Sequence, residues 1–170
     1  MGYLQTSLVA LFAAFVGVAQ PAVAGEIMFG PLQFRATVGS MSSSAAYVSI
    51  INHGKVADRL LNATSNLARE TELHLMEMDN GVMKMRPVEG GIEIPAGKTI
   101  HLAPSGYHVM LNGLNAPLTA NSTFEITLVF QNAGEKTIQG MALLPTDLKV
   151  HDRSKIHKHK HKHKHKQKTN

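Results

Sequence analysis

Between Gly25 and Val150 no helical period is sustained with caps at both ends; the chain runs instead in short alternating or apolar segments, each broken by turn-forming residues. Leu32 to Val38 alternates in part, and Ala45 to Ile51 is apolar enough for a buried strand. Arg59 to Ala63, Glu70 to Met78, Val82 to Arg86, Lys98 to Ala103, His108 to Leu111, Thr123 to Phe130 and Lys136 to Leu143 continue the series. Asn52-His53-Gly54-Lys55, Asp79-Asn80-Gly81, Glu89-Gly90-Gly91, Pro95-Ala96-Gly97, Pro104-Ser105-Gly106, Asn112-Gly113 and Ala133-Gly134 separate them. Gly and Asn tolerate positive φ there and Pro fixes its own. About nine short strands of this kind predict an all-β domain, an antiparallel β-sandwich or Greek-key barrel.

The two ends differ in character. Residues 1–24 hold no Asp, Glu, Lys or Arg, and the apolar run Leu8 to Val18 leads through Gln20-Pro21 into Ala22-Val23-Ala24, the small-x-small pattern of a signal-peptidase site. The expectation is a secretory signal peptide over 1–24, export to the periplasm and a folded domain over 25–150, with a retained N-terminal anchor as the alternative. No later segment is long and apolar enough to span a bilayer, so no stable membrane insertion is expected once the signal is cleaved.

Residues 151–170 carry Arg153 and seven Lys against Asp152, which leaves nine basic and eleven acidic residues in the rest of the chain. The formal charge of +5 therefore belongs to the tail, and the domain is near neutral. With Ile156 as its one apolar residue, the tail is expected to be disordered. In an extended chain, His157, His159, His161, His163 and His165 fall on one side and lysines on the other, a candidate secondary metal site near neutral pH. Lysine repulsion opposes that role, and a solvated basic tail or an appended purification tag fits the same residues. Nucleic acid is not an expected partner after export.

The chain has no Cys, which excludes disulfides, thiolate zinc sites, iron–sulfur ligation, cysteine nucleophiles and a blue-copper centre. Its chemistry gathers in three segments: HLMEM (His74 to Met78), GVMKM (Gly81 to Met85) and HVM (His108 to Met110). Together they hold two His and five Met. Thioether sulfur is a soft, uncharged donor and imidazole a borderline one, so the set reads as a candidate copper(I) site. Strand periodicity puts His74, Met76 and Met78 on one face, Met83 and Met85 on one face, and His108 and Met110 on one face. A turn at Asp79-Asn80-Gly81, centred near residue 80, would bring His74 close to Met85. Singly, each Met serves as well as a flexible core filler. His101, alternating with Ile100 and Leu102, reads as an exposed strand position, and His53 as a turn residue; neither is an expected ligand.

His74, ten intervening residues, Met85, then 22 residues to His108-x-Met110 resembles the signature of the periplasmic PCu(A)C copper chaperones. The stretch from Gly81 to Leu111 is similar to that family along its length, and the resemblance covers roughly Gly30 to Leu143. It implies a cupredoxin-like β-sandwich binding one Cu(I) through His74, Met85, His108 and Met110 in a shallow exposed site, with Met76, Met78 and Met83 as a soft apolar rim. It further implies delivery toward the Cu(A) centre of cytochrome c oxidase, alone or with Sco-type thiol proteins, and Cu(II) binding by the His-rich tail. A carrier rather than an enzyme is the expectation. The alternatives are a periplasmic store or buffer for copper or another metal, a copper-dependent oxidoreductase, and an adhesion module with incidental methionines. Catalysis is disfavoured because the sequence offers no second His cluster or acid/base pair.

Overall fold

A computed structural model describes residues 26–149, and they contain strands and turns without a helix. The expected signal peptide and the His/Lys tail, including His157, His159, His161, His163 and His165, lie outside the described residues, as do Gly25 and Val150. Eleven strands follow one another: β1 (Ile27–Phe29), β2 (Leu32–Arg35), β3 (Ser43–Asn52), β4 (Asp58–Thr64), β5 (Ala68–Asp79), β6 (Val82–Pro87), β7 (Ile92–Ile94), β8 (Thr99–Leu102), β9 (Tyr107–Leu114), β10 (Thr123–Phe130) and β11 (Gly134–Leu143). All nine expected runs are strands; β1 and β7 are additional. Three residues are too few to display a period of two, which is why neither stood out in the sequence.

The strands join into one mixed sheet in the order β6-β5-β9-β3-β2-β11-β10-β4-β7, with β1 and β8 also paired to β3. The long strand β3 is shared along its length: Ser43 to Ala46 pair with β9, Val48 to Ile51 with β8, and Ile50 to Asn52 with β1. One pairing departs from the antiparallel expectation, since β11 runs parallel to β2. Gly140 lies at this contact opposite Leu32, and a Cβ there would strike the Leu32 backbone carbonyl. Only a glycine lets the two backbones approach so closely.

The sheet curls round a single apolar core in which Phe34 (β2), Val48 and Ile50 (β3), Leu60 (β4), Ile94 (β7), Leu102 (β8), Val109 and Leu111 (β9), and Ile126 and Leu128 (β10) are almost wholly enclosed. Burying each such side chain contributes about 1.5–3 kcal/mol. Buried polar groups are tied down: Asn52 donates from Nδ2 to the carbonyls of Val56 and Ile94. The Asp58 carboxylate accepts from the amides of Arg59, Asn132 and Ala133, clasping the β10–β11 turn to the start of β4.

Of most consequence for the site is the β5–β6 hairpin at one end of the strand order. Asn80 (φ 50°) and Gly81 (φ 81°) form its two-residue turn, the doubly positive-φ geometry that Asn-Gly favours in tight hairpins. Asp79 pairs with Val82, Met78 with Met83, Met76 with Met85 and His74 with Pro87. The turn centre thus falls between residues 80 and 81, half a residue beyond the sequence expectation. Met85 consequently faces Met76 directly and reaches His74 on the diagonal.

Candidate metal centre

Residues directly opposite in a ladder share a face of the sheet, and residues two apart on one strand do too. His74 is opposite His108 across β5 and β9, and Glu72 is opposite Met110. Met76 is opposite Met85. Glu72, His74, Met76, Met85, His108 and Met110 therefore occupy one continuous face. Met110 is half-buried there, flanked by Ala45 of β3 on its other side.

The backbone sets how closely they approach. The Met76 amide donates to the Gly106 carbonyl, extending the β5–β9 ladder, so the even-numbered residues of β5 turn their backbone groups toward β9. His74 and His108 are thereby a hydrogen-bonded pair, the wider type, with Cα atoms about 5.5 Å apart. Their ring centroids are 6.0 Å apart at 65°. This separation leaves room between the imidazoles. On its other edge β5 presents the same residues to β6 as non-hydrogen-bonded pairs, the closer type at about 4.5 Å. The lack of an N–H on Pro87 thus costs nothing opposite His74.

Each imidazole is oriented by a residue two positions earlier in the chain. His74 Nε2 lies 3.1 Å from Glu72 Oε2. A carboxylate accepts only, so Nε2 carries the proton of the neutral ring and Nδ1 bears the lone pair. That Nδ1 is buried and has no hydrogen-bond partner. His108 Nδ1 lies 3.0 Å from the Gly106 carbonyl, which leaves the lone pair on Nε2. This Nε2 is 3.2 Å from the Met85 sulfur. With the ring proton held on the far nitrogen, the contact sets two electron-pair donors side by side without a hydrogen between them.

Both rings are buried, His74 at 8% and His108 at 4% exposure, whereas Met85 is 45% exposed. The face is closed around the imidazoles and open on the hairpin side, less shallow than the family resemblance implies. Burial pushes the His108 pKa below the usual imidazole value; the Gly106 hydrogen bond opposes this, and His74 and Arg35 reinforce it. Tyr47 sits behind His108, ring centroids 6.5 Å apart, with its pKa raised by burial and drawn back by Arg35. Imidazole nitrogens and thioether sulfurs together make a donor set matched to a soft monovalent cation. Among the described residues no three His, Asp or Glu converge as a harder ion would require.

His74, Met85 and His108 are thus brought together, with Met110 beside them. His101 stands elsewhere, half-buried on β8, with Nδ1 2.8 Å from the Ser49 hydroxyl. His53 is exposed beyond the end of β3. Sequence reasoning passed over Glu72 and the Gly106 carbonyl. The signal was present in both cases, since a residue two before a strand histidine shares its face or its hydrogen-bonding edge.

The family model described as "Putative lipoprotein LpqE-like" matches residues 27–142, most of the described chain. The chain belongs to the LpqE-like family. One relative, "Putative lipoprotein Lxx21020" of Leifsonia xyli subsp. xyli, is 38% identical over 95 residues, 56% of this chain. The chain spans 57% of that relative's length. Among solved structures, this LpqE-like fold is similar to the copper-bound PCuAC domain from PmoF2, with a TM-score of 0.60 and 26% identity over 73% of this chain and 97% of that one. It is also similar to CuI-DR1885 from Deinococcus radiodurans, with a TM-score of 0.54 and 27% identity over 75% of this chain and 83% of that one. The PCuAC domains share its cupredoxin-like β fold, as the sequence reading expected.

Proposed function

We propose that the protein is an exported copper carrier that holds one Cu(I) ion as cargo between His74, Met85, His108 and Met110. The observation that carries this reading is the pair of ring nitrogens: buried His74 Nδ1 has no hydrogen-bond partner, and His108 Nε2 meets the Met85 sulfur. A buried polar atom without a partner is costly to a fold, and an ion accepting both lone pairs removes that cost. Similarity to the copper-bound PCuAC domain and to CuI-DR1885 supports copper as the cargo.

The donor set suits loading and release. Thioethers lose no proton on binding, so acidity competes with the metal only through the two imidazoles. Glu72 and the Gly106 carbonyl keep each ring in its binding tautomer, and such supporting contacts raise the basicity of the ligand nitrogen. Met85, on the exposed side, is the donor an incoming thiolate would displace first, before the buried imidazoles. Transfer by stepwise ligand exchange needs neither unfolding nor a change of valence. This chemistry fits delivery toward the Cu(A) centre of cytochrome c oxidase, directly or through Sco-type thiol proteins. The leader-like residues 1–24 support export, with the periplasm as the carrier's compartment. His157, His159, His161, His163 and His165 would supply a separate Cu(II) site in the tail.

The test is an anaerobic Cu(I) titration of the protein against a chromophoric chelator, beside His74→Ala and Met110→Leu variants. One tightly held equivalent, weakened in both variants, is expected. Equal binding by wild type and both variants would refute the assignment.

A further inference from the structure

Four methionines, Met76, Met78, Met83 and Met85, form two successive rungs on one face of the β5–β6 hairpin, and the site above uses only Met85. We propose that Met76, Met78 and Met83 form a second, weaker Cu(I) site toward the hairpin tip, an outer station that hands the ion to and from the His74/His108 pair. The inference rests on the reading of that pair as a Cu(I) site.

Geometry favours shared coordination. Met78 is directly opposite Met83, and Met76 directly opposite Met85. Both rungs are of the non-hydrogen-bonded type, by the same alternation that leaves Pro87 free of the ladder, and this type brings side chains closest. Successive rungs on a face lie about 7 Å apart, within the combined reach of two long, flexible side chains. An ion held at the tip can thus gain a bond to the Met85 sulfur before it loses one to Met78 or Met83.

Exposure separates these residues from core fillers. Met78 is 64% exposed and Met83 46%, so packing does not account for either. Cations are kept off their face at the hairpin end. Lys84 pairs with Asp79, and Arg86 pairs with Glu77 and Asp79, all on the opposite side of the hairpin. The soft face therefore carries neutral thioethers while its cations are turned away and partnered. Three thioethers without an imidazole select a soft monovalent ion and bind it less firmly than the mixed set. Passage is ligand exchange alone: a Cu–S bond to Met85 or Met110, or a Cu–N bond to His74 or His108, forms as each Cu–S bond to the outer methionines breaks, with no electron transferred.

The test is NMR of the full-length protein labelled with carbon-13 at the methionine methyls, titrated anaerobically with Cu(I). The Met85 and Met110 methyls should shift first, and those of Met76, Met78 and Met83 in a later phase. M78L/M83L, which keeps apolar volume at exposed positions, should lose the later phase and retain the first. The readout is residue-specific, so ion captured elsewhere in the chain does not enter it. Static Met76, Met78 and Met83 methyls through the later phase, or a later phase at Met76 undiminished in M78L/M83L, would overturn the outer station. Failure of the inner site has its own signature, Met85 and Met110 methyls that do not move first, and it overturns the relay as well.

Discussion

His108 Nε2 and the Met85 sulfur approach to 3.2 Å from strands that are not neighbours, because β5 lies between β9 and β6 and carries both ladders. The site is therefore as rigid as β5, and substitutions around β5 read out its construction.

Glu72 holds His74 in the tautomer that leaves Nδ1 free. Glu72→Ala should lower Cu(I) affinity by about 10–100-fold, the range for losing an orienting partner. Glu72→Gln, which retains an acceptor, should lose less. Chelator competition measures both, and nitrogen-15 spectra of the ring should show a mixture of His74 tautomers in the Ala variant. Unchanged affinity in Glu72→Ala would contradict the orienting role.

The depressed pKa of His108 has a sign that can be followed in the metal-free protein. The unfolded chain takes up a proton near pH 6.5, while the buried ring resists it until lower pH. Below about 6.5 the unfolded state binds more protons, so the stability contributed by burying a neutral ring is present above that value and is lost as pH falls through the folded pKa. Thermal midpoints should decline from pH 7.5 to 5.0, and His108→Gln should flatten the decline. Cu(I) affinity should weaken over the same interval, and equal affinity at both pH values would contradict imidazole ligation.

Asp58 joins two distant turns through three backbone amides. Asp58→Ala leaves buried donors without an acceptor, at a cost of about 1–3 kcal/mol. Denaturant unfolding should show it. Because the clasp lies at the β4 end of the strand order, copper stoichiometry should not change.

Gly140→Ala places a methyl against the Leu32 backbone in the parallel β2–β11 contact. Neither strand can yield without disturbing its ladder, so the loss should be at the upper end of about 1–3 kcal/mol. Gly90→Ala is the control: Gly90, unlike Gly140, has positive φ (74°), and nothing lies near its missing Cβ, so only backbone strain of about 1–2 kcal/mol applies. Comparing denaturation midpoints separates collision from strain.

Much of this was legible in the chain because alternation and turn chemistry are local. Thr123 to Phe130 was read as β10 with its bounds, and Asn80-Gly81 as a turn, since each rests on neighbouring residues alone. The faces of His74, Met85 and His108 followed from the period of two. What escaped depends on partners remote in sequence. The parallel pairing of β11 with β2 joins segments about a hundred residues apart. The burial of His74 and His108 depends on what covers them, Tyr47 beside His108 among others. The half-residue offset of the hairpin was the third miss, and it decides which sulfur faces which.

Strand β6 ends the strand order, and every one of its residues is exposed. A free edge beside a greasy sulfur face invites other chains to add on and aggregate. Lys84, Arg86 and Pro87 occupy that edge, two charges and a residue that cannot donate a backbone hydrogen bond, the devices by which β-proteins discourage such growth. The hairpin can therefore keep its sulfur side bare to visiting molecules while discouraging strand addition along β6.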